Sequence, residues 1–98
     1  MFKQARVYVS GDVTGVGFRS WTKKKAQELE LRGWVKNVFT KPHIFGFRGG
    51  VEALIQGEEE NLNKMIEFLK QGPMTSAIEK VEVAFEEIQD LFETFEVV

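Results

Sequence analysis

The stretch Ala5-Arg6-Val7-Tyr8-Val9-Ser10-Gly11-Asp12-Val13-Thr14-Gly15-Val16-Gly17-Phe18-Arg19 decides how this chain is read. Its first half alternates apolar Ala5, Val7 and Val9 with Arg6, Tyr8 and Ser10, the two-residue period of a strand with one buried face. Its second half places glycines at 11, 15 and 17 between that strand and a run of strong helix formers reaching Leu31. The reading is strand, glycine-rich turn, helix, with Trp21, Ala26 and Leu29 as the inward contacts and Gly33 as the stop signal.

Outward from that unit, Trp34 to Phe39 and Val51 to Gln56 have strand character, and the stretch between them, Thr40 to Gly50, is too long for a tight hairpin turn. Leu62, Met65, Ile66 and Leu69 fall at i, i+3, i+4 and i+7, which predicts a helix starting among Glu58, Glu59 and Glu60, where negative charge suits the helix dipole. Gly72-Pro73 ends it. Val81, Val83 and Phe85 then alternate with Lys80, Glu82 and Ala84, and a shorter run from Phe92 to Val97 predicts an edge strand rich in glutamate. The order β-α-β-β-α-β predicts an α+β fold of the ferredoxin-like split βαβ kind: a mostly antiparallel sheet of four to five strands with two helices on one face. One domain is expected over 1–98, with an extended loop at about 39–50. This fold hosts many chemistries, so function must be argued from a site.

The composition narrows that search. The chain has 98 residues, 43% of them hydrophobic, which suits one small packed domain and not a disordered chain. It has no cysteine and a single histidine, His43, so disulfides, thiolate nucleophiles, cysteine zinc sites and an all-histidine metal site are excluded. No apolar run approaches the roughly 18–20 residues of a membrane span, and the N-terminal sequence leads straight into strand alternation, so the expectation is a cytoplasmic protein with no membrane partner. Net charge is −2, yet residues 1–50 carry ten Lys and Arg against three Asp and Glu, while residues 51–98 carry three against twelve. The basic half suits a small anion. The acidic half repels a long polyanion, so nucleic acid is not an expected partner.

The glycine turn is the natural place for that anion. Glycines at 11, 15 and 17 let successive backbone N–H groups converge, and the helix that follows adds its own free N–H groups and partial positive charge. Arg19 falls in the first helical turn, where a planar guanidinium can grip two phosphate oxygens. Nucleotide loops fit poorly: a Walker loop requires Gly-Lys-Ser/Thr where Phe18-Arg19 stands, and the dinucleotide fingerprint requires glycine at Ser20. The competing reading is a tight crossover with Arg19 solvated. The second polar candidate is Asn37, in Gly33-Trp34-Val35-Lys36-Asn37, whose amide can orient a water by accepting a proton and donating to oxygen. An asparagine near a strand end also serves as a plain turn residue.

Together, Val9 to Arg19 and Gly33 to Asn37, followed by Val51-Glu52-Ala53, Gly57 and Gly72-Pro73, resemble the acylphosphatase family along nearly the whole chain. The G-V-G-F-R and G-W-V-x-N motifs carry the resemblance, in the element order already reached from periodicity. It implies that Arg19 is the phosphate-binding arginine, that Asn37 positions the attacking water, and that the N–H groups of Thr14, Gly15, Val16, Gly17 and Phe18 cradle the phosphate. The implied reaction is hydrolysis of the carboxyl-phosphate bond of a small acyl phosphate. No cofactor or metal is expected, inorganic phosphate is expected as product and competitive inhibitor, and a monomer is expected.

Three departures from the family pattern stand out: Thr14 where glutamine is common, Glu30 where glycine is common, and the long connection after Asn37. That connection is compatible with a lid, an altered substrate choice or a tolerated insertion. Two other functions compete. Phe45-Gly46-Phe47 has the aromatic-glycine pattern of an RRM-like RNA-binding strand, although Arg48-Gly49-Gly50 breaks the alternation. A non-catalytic interaction module would expose Phe39, Ile44, Phe45 and Phe47, where a folded-back loop would bury them. His43 reads as solvated, and Lys23-Lys24-Lys25 as either an anion-steering patch or an ordinary solvated helix face.

Overall fold

The computed structural model describes residues 1–15 and 17–98. Val16, one of the residues expected at the phosphate, lies outside the described residues. In chain order the elements are β1 (Phe2–Asp12), α1 (Phe18–Glu28), β2 (Arg32–Val38), α2 (Pro42–Phe45), β3 (Gly50–Glu58), α3 (Glu59–Gln71), β4 (Ala77–Glu86) and β5 (Phe95–Val97). They form a ferredoxin-like α+β fold in which one sheet has the order β4-β1-β3-β2-β5. All neighbours are antiparallel except β2 and β5, so the sheet is mixed.

Strand alternation puts Ala5, Val7 and Val9 of β1, Val35 of β2 and Val51, Ala53 and Ile55 of β3 on one face, all fully or nearly fully buried. Against them pack Phe18 and Ala26 of α1 and Leu62, Met65 and Leu69 of α3. Phe18, Leu62, Met65 and Leu69 each contribute on the order of 1.5–3 kcal/mol by leaving water. Of the inward contacts expected from α1, Ala26 is fully buried, whereas Trp21 and Leu29 are only partly so. Thr22 is buried as well, because its hydroxyl donates to the Phe18 carbonyl at 2.8 Å and so needs no water.

The opposite face is where the structure adds to the sequence reading. The connection after Asn37 is not all loop: Pro42, at the start of a turn where its missing N–H costs nothing, opens the one-turn helix α2, and Gly50 already belongs to β3. Phe45 is buried there, its ring 5.6 Å from that of Tyr8. Farther along, residues 87–94 cross this face from β4 at one edge to β5 at the other. The Gln56 amide donates to the Asp90 carbonyl at 2.7 Å and its oxygen accepts the Phe92 N–H at 3.0 Å. That bond takes Phe92 out of the ladder, so the last strand begins at Phe95 and not at Phe92. Among the described residues no helix is long and apolar enough to cross a membrane.

Candidate active site

The turn between β1 and α1 ends on Gly17, whose φ of 79° lies in the left-handed region, as does that of Gly15 at 75°. Added Cβ atoms at these positions would meet nothing within 4 Å, so glycine is needed for the backbone conformation and not for room. Gly17 is the N-cap of α1 and provides no side-chain cap, and the first turn holds no acidic residue. Among the described residues, then, no side chain caps the first N–H groups of α1 and no carboxylate in the first turn offsets the positive end of its dipole. Phe18 anchors this end from below: its side chain is buried in the core and tilted against Trp21 at 5.5 Å.

Arg19 is half-buried and lines a small cleft of about 80 Å³ with Val13, Gly15, Gly17 and Val97. Among the described residues no carboxylate pairs with it. The contrast with Arg6 is instructive. Arg6 donates to Glu86 Oε2 at 2.7 Å and to Glu52 Oε2 at 2.5 Å, contacts that raise its own pKa and, through the hydrogen bond from Arg6, hold the Glu86 carboxyl below its ordinary range. Arg6 is neutralised in place, whereas the charge of Arg19 stays available to a ligand.

Asn37 shares the parity of Gly33 and Val35 and so lies on the helix-bearing face of β2, in register with Val51, which is in turn in register with Val9 at the approach to the glycine turn. Its Oδ1 is out of solvent contact and has no hydrogen-bond donor among the described residues. Strand β5 connects the two polar candidates. Val97 lines the Arg19 cleft and is in register with Val35, two residues before Asn37 on the same face. The expected site residues Thr14, Gly15, Gly17, Phe18 and Arg19 therefore sit at one end of the sheet's helix face, and Asn37 lies one residue before the end of β2 on that face.

Val97 was not singled out from the sequence, and no local signal could have done so, because its place depends on parallel pairing with a strand some sixty residues earlier. The lysine run divides. Lys23 lies 3.6 Å from Glu96, whose carboxyl is held below its ordinary range by the Thr94 hydroxyl and then by Lys23. Lys25 lies 4.8 Å from the centre of the Phe68 ring, and Lys24 is exposed. His43 is exposed on α2. Of the four apolar residues after Asn37, Phe45 is buried and Ile44 half-buried, while Phe39 and Phe47 are exposed; Phe45-Gly46-Phe47 lies outside any strand.

Comparison with known proteins gives one answer. Residues 5–97 match the family model described as acylphosphatase. An acylphosphatase from Acaryochloris marina is 41% identical over 92 residues, covering 94% of this chain and 89% of that protein. One from Archaeoglobus fulgidus is 42% identical over 91 residues, covering 93% and 92%. Among solved structures, an acylphosphatase from Coxiella burnetii superposes with a TM-score of 0.86 at 35% identity, covering 99% of this chain and 93% of that one.

Proposed function

The chain belongs to the acylphosphatase family, and from that premise we propose that it hydrolyses small acyl phosphates at the β1–α1 turn, with Arg19 and the backbone N–H groups of residues 14–18 holding the phosphoryl group and Asn37 positioning water. The observation that carries this reading is Arg19, without an ion-pair partner among the described residues and set in a cleft with Gly15 and Gly17 at a helix start that has no side-chain cap. An acyl phosphate is already activated. Catalysis then consists mainly of positioning it and stabilising charge that moves from the phosphoryl oxygens to the leaving carboxylate.

Water attacks phosphorus in line with the bond to the carboxylate oxygen. The P–O bond to the acyl group breaks, the carboxylate leaves with that electron pair, and the water's proton passes to a phosphate oxygen. Asn37 suits the water because an amide can both donate to its oxygen and accept one of its protons. Fixed N–H donors and Arg19 lose little reorganisation energy as charge shifts. Thr14 takes part through its N–H, which its side chain does not alter. The domain works as a cytoplasmic monomer on a small molecule, without metal, cofactor or nucleic acid.

The deciding experiment is benzoyl phosphate hydrolysis followed by ultraviolet absorbance, for the unmodified protein and Arg19→Ala, with and without a chelator. Turnover that resists chelation and disappears in Arg19→Ala supports the reading. A folded protein without turnover refutes it.

A further inference from the structure

The end of β2 that carries Asn37 is held from fewer sides than the rest of the strand. Pairing with β5 stops at Val35, whose carbonyl accepts the Val98 N–H at 2.9 Å, whereas pairing with β3 continues through Asn37 to Val38. Alongside this end lies a cleft of about 260 Å³ whose lining includes Lys36, Asn37, Phe39, Lys41 and Glu52, so apolar packing does not fill the space beside the segment. The ladder with β3 fixes the backbone of Asn37, and what is left to be held is the segment that runs on past Val38 along this cleft.

Glu52 is the group placed to do so. It sits on β3 opposite Lys36, on the face away from α1 and α3, and is only 3% exposed. Its Oε2 accepts from Arg6, but Arg6 also serves Glu86. Its Oε1 is out of solvent contact, accepts no hydrogen bond among the described residues, and has Lys41 Nζ 3.6 Å away. A buried carboxylate that shares one arginine with a second carboxylate still needs positive charge, and Lys41 is the cation beside its remaining oxygen. Lys41 is also the residue on which the following segment closes, since its carbonyl accepts the N–H groups of Ile44 and Phe45, each at 3.0 Å.

We propose that Glu52 is a positioning residue for the reaction: by holding Lys41 it steadies the end of β2 that β5 does not pair, and thereby the aim of the Asn37 amide. This rests on the water-positioning reading of Asn37. Glu52 does not touch substrate. The phosphate turn belongs to another connection, so phosphate binding is not expected to depend on it.

The test measures kcat with benzoyl phosphate, and the inhibition constant of inorganic phosphate, for Glu52→Gln and Lys41→Met, each alone and combined with Asn37→Ala. Each single variant should lower kcat roughly tenfold and leave phosphate inhibition within about twofold. In the Asn37→Ala background neither should lower kcat further, because non-additivity marks residues that act through one another. An unchanged kcat in the single variants overturns the proposal, and so does an equal loss in both backgrounds, which is the behaviour of a merely structural residue. Should Glu52→Gln fail to fold, Lys41→Met carries the test, since that side chain is 42% exposed. If Asn37→Ala keeps full kcat, the reading of Asn37 itself fails, and this proposal with it. If Asn37→Ala loses kcat while Glu52→Gln and Lys41→Met do not, only the role of Glu52 fails.

Discussion

Arg19 and Val97 line the same cleft, although one belongs to the first turn of α1 and the other to the last strand. The side chain of Val97 is apolar and offers Arg19 no competing charge. Val97→Glu should therefore quench the site by supplying a carboxylate to a guanidinium that has none among the described residues, weakening inorganic phosphate inhibition by about tenfold or more. Phosphate inhibition at two salt concentrations checks this, since high salt should recover part of the loss.

Arg19→Ala should lower kcat/KM by at least about a thousandfold, because it removes both a charge and a two-pronged donor from a phosphoryl group. Arg19→Lys should regain only a small part, since an ammonium keeps the charge and loses the fork. Neither change should lower the melting temperature appreciably, because no ion pair to Arg19 is present among the described residues. Steady-state kinetics and thermal unfolding of the same two variants check both halves.

Asn37→Ala should act in opposite directions on activity and stability. Loss of water positioning should lower kcat about a hundredfold with phosphate inhibition little changed. The fold should be no less stable, because the substitution also removes an acceptor that is out of solvent contact and has no donor among the described residues, an arrangement that costs on the order of 1–3 kcal/mol. Urea unfolding of the variant checks this; clear destabilisation would show that the amide serves the fold.

How much of this was legible beforehand depends on the range of the interactions. The strands at Ala5–Ser10 and Val81–Phe85 and the helix through Leu62, Met65, Ile66 and Leu69 are written in local periodicity, and the structure has all three. Gly15, Gly17 and Arg19 could be singled out because a backbone turn and a helix start leave a local mark. Glu52 and Val97 left none. A glutamate in Val51-Glu52-Ala53 looks like any solvent-facing strand residue until Arg6 and Lys41 come against it, and they do so through tertiary packing. The helix α2 went unread because four residues are too few to show a period.

The pH dependence of stability follows from Glu86. Its hydrogen bond from Arg6 holds the carboxyl below its ordinary pKa in the folded protein, and Glu59, bonded by Lys3, and Glu96, bonded by Thr94 and near Lys23, are shifted the same way. A carboxyl whose folded pKa is depressed stabilises the fold fully above its unfolded pKa, and that stability is lost as pH falls through the folded value. Stability should thus be flat across neutral pH and decline below the ordinary glutamate range near 4.3. Glu86→Gln keeps the Gln4 contact feasible but removes the charge facing Arg6, so it should lower the urea midpoint at pH 7 and make the acid decline shallower. A variant whose decline is as steep as that of the unmodified protein would shift the cause to the other carboxylates. Because Arg6 also holds Glu52, the same substitution should leave Arg6 to Glu52 alone and tighten that pair without abolishing turnover.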